Sequence, residues 1–311
     1  MSNGMSQLCP ICGGPGAMQA HGRIAPFILQ LRGNAENLPR DTTLRICDSC
    51  DLVYFSHRFD NDTLAAIYSD YHNDRYLSIR RRWEPWYSRN VHNAMEPGSA
   101  AVAERIDFVT KVVEPYVKIG SLRNIVDYGG DEGQFFPPSY LGPKYVIDVS
   151  GKDVVEGVRT ASSLGELPDR PHLVTACGVL EHLIDPVATV KQIRAAIADD
   201  GFFYAEVPLD RPKVRRWHAG ASYSCFLDWV SATRGGWIAA DFVTGVARNF
   251  GRKVPRLGAV KQSEHINYFS PQSLERLLVE GGFRVVSTQA DPKMSYGGMR
   301  LGRLGALAVP R

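Results

Sequence analysis

Asn124-Ile-Val-Asp-Tyr-Gly-Gly-Asp-Glu-Gly133 decides the reading of this chain. Ile125 and Val126 end a short apolar run suited to a buried strand, and Asp127 closes it. Gly129, Gly130 and Gly133 then make a turn in which little but backbone lies near a ligand. A helix is expected to begin near Gln134, cut short by Pro137 and Pro138. Such a strand–loop–helix junction brings backbone N–H groups and one carboxylate to a small polar ligand. A second acid, Asp148, closes the next apolar run, Tyr145-Val-Ile147. That is the spacing at which a second strand offers a carboxylate to ribose hydroxyls. The competing reading is an ordinary tight turn.

Outward from this stretch, strand and helix patterns alternate. Val102, Ile106, Val109, Val113 and Val117 recur at helical steps over 99–118, with Ser99 as cap. After Asp148 the connection is too short for a full helix. Val154 to Val158 is expected as a further strand, and Thr160 to Glu166 as a polar loop able to meet an adenine edge. His172 to Cys177 is a buried strand, followed by Asp185 and Pro186 as cap and first residue of a helix. Gly201 to Pro208 is the next strand. Ser270 and Pro271 open a helix stopped by Gly281-Gly282, and two last strands follow, Phe283 to Thr288 and Leu304 to Val309. The alternation predicts an α/β fold with a doubly wound, mostly parallel sheet. In such sheets ligands lie beyond the carboxyl ends of the strands, where Asp127, Asp148, Gly178 to His182 and Glu206 fall.

A length of 311 residues allows a large core and additional modules. A net charge of +3 does not by itself argue for nucleic acid or a membrane. No apolar run reaches the length of a span and no signal segment opens the chain, so a cytoplasmic protein is expected, with no membrane partner. Four of the six cysteines form two close pairs, Cys9-Pro-Ile-Cys12 and Cys47-Asp-Ser-Cys50. Two such knuckles suit a closed four-thiolate zinc site that folds a segment too small for a core of its own. The alternative is a pair of redox dithiols, but no βαβ pattern surrounds either. His21 and His57 are spare ligands, and a hairpin or small subdomain is expected over roughly 21–46.

Asp127-Tyr-Gly-Gly-Asp-Glu-Gly133, Asp148, Val179-Leu-Glu-His-Leu-Ile-Asp-Pro186, Glu206-Val-Pro208 and Glu264-His-Ile-Asn-Tyr-Phe-Ser270 follow one another in an order that resembles the class I S-adenosylmethionine-dependent methyltransferases. With the cysteine pairs in front, the chain is similar to the zinc-containing branch that includes sugar C-methyltransferases. The resemblance implies that Asp127 and the backbone of Gly129, Gly130 and Gly133 hold the methionine and ribose portions of S-adenosyl-L-methionine. It implies that Asp148 accepts the ribose hydroxyls, and that Val179 and Leu180 border the adenine or the sulfonium. Asp131 meets the ligand's ammonium or caps the following helix. His265 is the candidate general base, His182 a second, with Glu181 or Glu264 orienting either. Gln262 stands where the similar enzymes carry a Tyr, and the glycine loop reads Gly-Gly-Asp-x-Gly where Gly-x-Gly is usual. A nicotinamide dinucleotide is the rival ligand. Asp127 would set like charge against its pyrophosphate, whereas a sulfonium compound with an ammonium and no phosphate suits that acid.

The expected organisation is a zinc-binding domain over 1–58, a helical linker or lid over 59–98, the Rossmann-like domain over 99–208 and 264–311, and a substrate-binding insertion over 209–263. Residues 68–87 form an aromatic and basic cluster that includes Tyr71, His72, Tyr76 and Arg80 to Arg82. The insertion carries many arginines beside aromatics, which suits a small-molecule acceptor that is phosphorylated or nucleotide-linked. A solvated basic face is the plainer reading. Helix is expected over 226–247, broken at Gly235-Gly236, and a glycine-rich loop over Met294 to Arg300. The alternatives to a sugar methyltransferase are an RNA methyltransferase gripping its substrate through the zinc module, which the modest charge of residues 1–50 disfavours, and a cofactor-binding module without chemistry.

Overall fold

The computed structural model describes residues 8–33, 40–68, 73–292, 295–296, 299–300 and 302–311. Tyr71, His72 and part of the 294–300 loop lie outside them. The chain divides into two compact units, one containing Gly13–His92 with Asp210–Tyr268, the other Asn93–Leu209 with Phe269–Arg311.

The second unit holds the quoted stretch. Its elements are α1 (Ala100–Val113), β1 (Ile125–Tyr128), β2 (Lys144–Ile147), β3 (Val158–Thr160), β4 (Leu173–Cys177), α2 (Pro186–Ala196), β5 (Phe202–Leu209), α3 (Pro271–Glu280), β6 (Phe283–Asp291) and β7 (Gly302–Pro310). The strands form one sheet in the order β6-β7-β5-β4-β1-β2-β3. β3, β2, β1, β4 and β5 run parallel. β7 lies antiparallel to both β5 and β6. The order reverses between β1 and β4, which sets a crevice at their carboxyl ends. Every residue of β4 is buried, as a strand covered on both faces requires. Phe108, Val109, Val112 and Val113 of α1 pack with Ile125, Val146, Leu173, Tyr204 and Leu307 of the sheet.

The three helix starts are set by side chains. Ser99 Oγ accepts from Val102 N at 3.3 Å, Asp185 Oδ1 from Ala188 N at 2.9 Å, and Ser270 Oγ from Ser273 N at 3.3 Å. Each takes up one orphan amide of a first turn. α1 stops at Val113 rather than reaching 118, because Pro115 cannot continue the ladder. No helix starts at Gln134: turns occupy 131–135 before Pro137 and Pro138. Val154 to Val158 is not a strand, and β3 instead runs from Val158 to Thr160.

In the first unit, Gly16–Ile24 pairs antiparallel with Asp41–Cys47, which pairs antiparallel with Val53–Phe55. Short strands from 209–268 extend both edges: Lys261–Gln262 beside Gly16–Ile24, and Asn267–Tyr268 beside Val53–Phe55. The segment read as an insertion thus shares a sheet with the N-terminal segment. It shares a core as well, since Leu44, Val53 and Phe55 pack with Tyr223, Leu227, Trp237 and Val260. Two helices, Ala221–Ser231 and Arg234–Asn249, are separated at Ala232 and Thr233. The break therefore precedes Gly235-Gly236, which sit inside the second helix's first turn under the Thr233 cap.

Candidate functional site

Asp127 ends β1 and is 1% exposed. Its Oδ1 accepts from the Thr175 hydroxyl of β4 at 2.8 Å. Its Oδ2 is buried and has no hydrogen-bond partner among the described residues. Burial pushes the Asp127 carboxyl up to about 7, with Asp148 and Glu206 adding to the rise and Thr175 and Arg105 opposing it. A buried carboxylate oxygen with nothing to accept costs free energy unless a donor arrives.

The loop above Asp127 carries glycine where a side chain would crowd the carboxylate. Gly129 adopts φ 73° and donates its N–H to Ile147 O at 2.7 Å, tying the loop to β2. A Cβ at Gly129 would collide with Val179, and one at Gly130 would stand against the Asp127 carboxylate. Gly133 turns at φ 76° against Val146 and Val158. These three positions need glycine for different reasons: the first and third for backbone conformation, the second for close approach.

Asp148 follows β2 and is half-buried. Its Oδ2 accepts from Asp131 N at 3.0 Å and its Oδ1 from Ser150 N at 2.7 Å. Each oxygen keeps a further lone pair for a ligand hydroxyl. Asp131 itself pairs with Lys152 at 2.9 Å and precedes no helix, so it does not cap one. Leu180 is fully buried and Val179 half-buried beyond the end of β4. His182 lies in the same turn, its N–H donating to Val179 O and its Nε2 3.9 Å from Glu181 Oε1. The 162–166 loop is closed on itself, with the Ser162 hydroxyl and amide both donating to Glu166.

Behind these residues Glu206, which the sequence places at a strand end, is held by two side chains that no sequence pattern indicated. Arg105 of α1 donates to Glu206 Oε1 at 2.9 Å, and the Tyr204 hydroxyl donates to Glu206 Oε2 at 3.0 Å. Arg105 also lies over the Phe135 ring at 4.8 Å, fixing the end of the glycine loop.

The first unit holds the remaining sequence candidates. Glu264 is buried, accepting from the Tyr76 hydroxyl and from Arg80 Nη1 at 2.8 Å. Burial alone would raise its pKa, but the Arg80 charge and the Tyr76 hydrogen bond outweigh it and hold the carboxyl at about 2. Arg80 also pairs with Glu84, which with Asp241 holds Lys261. His265, by contrast, is half-buried and has its Nδ1 2.8 Å from Asp210 Oδ2. Burial would raise the Asp210 carboxyl, yet the His265 and Arg248 charges keep it below the usual range. Asp210 was not singled out in the sequence; it directly follows β5. Gln262 is a framework residue that accepts from Thr42 and donates to His57 O.

Cys9, Cys12, Cys47 and Cys50 bring their sulfurs within 4.8 Å of one another, and none is in a disulfide. Gly13 and Asp51, one residue after each pair, both adopt the left-handed region at φ 68° and 60°. The Asp51 carboxylate is gripped by the Arg211 fork at 2.7 and 2.9 Å. Four sulfurs around one zinc at 2.3 Å would be roughly 3.8 Å apart, and Cys9 Sγ and Cys50 Sγ are 3.5 Å apart. The donor set fits that ion. His57 is not part of this cluster; its ring packs edge-on to Phe59, and burial lowers its pKa.

A methyltransferase-domain family profile matches residues 79–288. No curated protein matches the sequence. Among solved structures, similarity extends to the Burkholderia thailandensis 1,6-didemethyltoxoflavin-N1-methyltransferase with bound 1,6-didemethyltoxoflavin and S-adenosylhomocysteine. Identity is 14%, coverage 86% of this chain and 95% of that one, and the TM-score 0.47. It extends also to the magnesium protoporphyrin IX methyltransferase of Synechocystis PCC 6803 with bound S-adenosylhomocysteine. There identity is 14%, coverage 79% and 98%, and the TM-score 0.45.

Proposed function

The chain belongs to the methyltransferase-domain family, and from that premise we propose that it passes the methyl group of S-adenosylmethionine to a small-molecule acceptor. The single observation that carries the donor reading is the buried, unpartnered Oδ2 of Asp127 beneath the bare glycine loop. The donor's ammonium satisfies it, and Asp148 takes the ribose hydroxyls with its remaining lone pairs. The backbone of Gly129, Gly130 and Gly133 lies along the methionine and ribose portions, with Val179 and Leu180 bordering the adenine or the sulfonium. When bound, that donor supplies an electrophilic methyl group on sulfur.

The acceptor must lose a proton as its lone pair takes the methyl. His265 is our general base. Asp210 holds its Nδ1, which fixes the tautomer and leaves Nε2 as the basic nitrogen. His182 is the second candidate. Glu264, fully engaged with Tyr76 and Arg80, serves to brace the segment that carries His265. For the acceptor we propose a sugar, phosphorylated or nucleotide-linked, on the chemistry of Arg248, which lies 3.5 Å from the Asp210 carboxylate that holds His265. For the four cysteines we propose a structural zinc, which a closed four-sulfur set allows and which leaves no open position for chemistry.

The test is methyl transfer from labelled S-adenosylmethionine to a panel of sugar nucleotides and sugar phosphates. His265→Ala is expected to lower kcat by roughly 100-fold or more, and Asp210→Asn to shift the rising limb of the kcat–pH profile. Donor affinity, read by calorimetry, should be unchanged in both. Full activity of His265→Ala with loss in His182→Ala would transfer the base role to His182.

A further inference from the structure

The modest net charge of the chain conceals a strongly one-sided surface in the first unit. No acid occurs between Asp210 and Asp228, nor between Asp241 and Glu264. Within these two segments Lys213, Arg216, Arg252, Lys253 and Arg256 are all exposed.

The same segments expose apolar side chains. The Arg234–Asn249 helix buries Trp237, Ala240, Thr244 and Ala247. Its other face presents Phe242, Val243 and Val246, and the stripe continues into Phe250 just past the helix end. Phe242 is 53% exposed, Phe250 72%, and Leu257, in the loop that follows, 66%.

That loop is anchored beside the other basic segment. Val254 N donates to Lys213 O at 2.7 Å, and Lys213 Nζ donates to Gly251 O at 3.3 Å. Arg252 lies over the Phe250 ring at 5.8 Å, and Arg256 over the Trp217 ring at 5.6 Å. Cations and apolar groups therefore alternate across one patch rather than forming separate faces.

We propose that this patch docks the protein on an anionic membrane surface. Two features select that occupant together. The cations call for negative charge, and the aliphatic groups, Val243, Val246 and Leu257, call for hydrocarbon. A nucleic acid satisfies the first and leaves the second in contact with nothing apolar. A second copy of the chain in a two-fold interface would set the basic patch against itself. Anionic headgroups over acyl chains meet both needs, in the manner of interfacial helices whose cations ring an apolar stripe. The protein would lie on the bilayer, not across it, since among the described residues no helix is long and apolar enough to span.

The experiment is co-sedimentation of the full chain with vesicles of phosphatidylcholine alone, or with about 30 mol % phosphatidylserine, at about 0.15 M salt. Binding to the anionic vesicles is expected to exceed binding to the neutral ones by about tenfold or more. Arg252→Glu with Lys253→Glu should abolish the difference, and Phe250→Ser with Leu257→Ser should weaken binding to both vesicles. Circular dichroism and donor affinity confirm that the variants fold, since none of these residues belongs to the donor site or the base. Equal sedimentation with both vesicle types, or none with either, overturns the proposal. So does retention by RNA in place of vesicles, or self-association that Phe250→Ser abolishes.

Discussion

Asp127 and Glu264 are both carboxylates removed from water, and the two units treat them in opposite ways. In the seven-stranded unit Asp127 has one hydroxyl donor, an empty oxygen and a pKa near 7. In the five-stranded unit Glu264 has a guanidinium, a phenol and a pKa near 2. Burial raises both carboxyls, and the partners decide which way each ends. A completed ion pair marks framework, and an acid left short of donors marks a place for a ligand.

The sharpest break of this comparison is removal of the proposed zinc, because three of its four cysteines, Cys9, Cys47 and Cys50, belong to the first unit. Structural zinc in small modules is worth about 10–16 kcal/mol of apparent binding free energy. Chelation, or Cys47→Ser, is expected to unfold the first unit, seen as loss of near-UV dichroism together with bound zinc. A spectrum unchanged after chelation would remove the metal from the account.

Next in size is Arg80→Met, which strands Glu264 without its cation and leaves Glu84 with Lys261 alone. Breaking a buried pair from one side costs about 3–5 kcal/mol, measured as a lowered urea midpoint. Donor affinity of the folded variant should not move. If it falls, the pair is part of the donor site and the contrast fails.

Asp127→Asn should do the reverse. Donor affinity at pH 8 is expected to fall about 100-fold, equivalent to about 2.7 kcal/mol. Folding stability at that pH should rise. An acid whose folded pKa is raised from 3.8 to about 7 gives its full contribution below the ordinary carboxylate range and loses it as pH rises from there to about 7. The amide avoids the loss. Glu264 has the opposite sign: its contribution is present above the ordinary carboxylate range and vanishes as pH drops toward 2.

The smallest effect follows from the same titration. If the donor's ammonium ionises Asp127, binding below pH 7 must expel a proton. Affinity should then increase about tenfold from pH 6 to pH 8 and level off above 7. Calorimetry in buffers of different ionisation enthalpy reads the proton directly. A flat profile would mean that Asp127 is already ionised in the free protein.

How much of this was legible beforehand depends on distance along the chain. The caps at Ser99, Asp185 and Ser270, the strand ends at Asp127 and Asp148 and the cysteine knuckles are local, set by residues within a few positions. The failures are local competitions too: the stretch after Gly133, expected to start a helix, forms turns, because Pro137 and Pro138 leave too few amides to form a ladder. The partnerships were not legible. His265 meets a carboxylate 55 residues away, Arg105 meets Glu206 across 101, and Arg80 meets Glu264 across 184.

The amino-acid order by itself determined the alternation of strand and helix, the glycine loop between two acids and the pairing of thiols. Hydrogen bonds of short reach and hydrophobic periodicity are enough to fix these. Only the tertiary structure decided that one oxygen of Asp127 is left without a donor among the described residues while Glu264 has two donors, that Asp210 holds His265, and that residues 209–268 complete the N-terminal sheet. Each depends on which side chains long-range folding brings within about 3 Å, and no spacing in the chain records that.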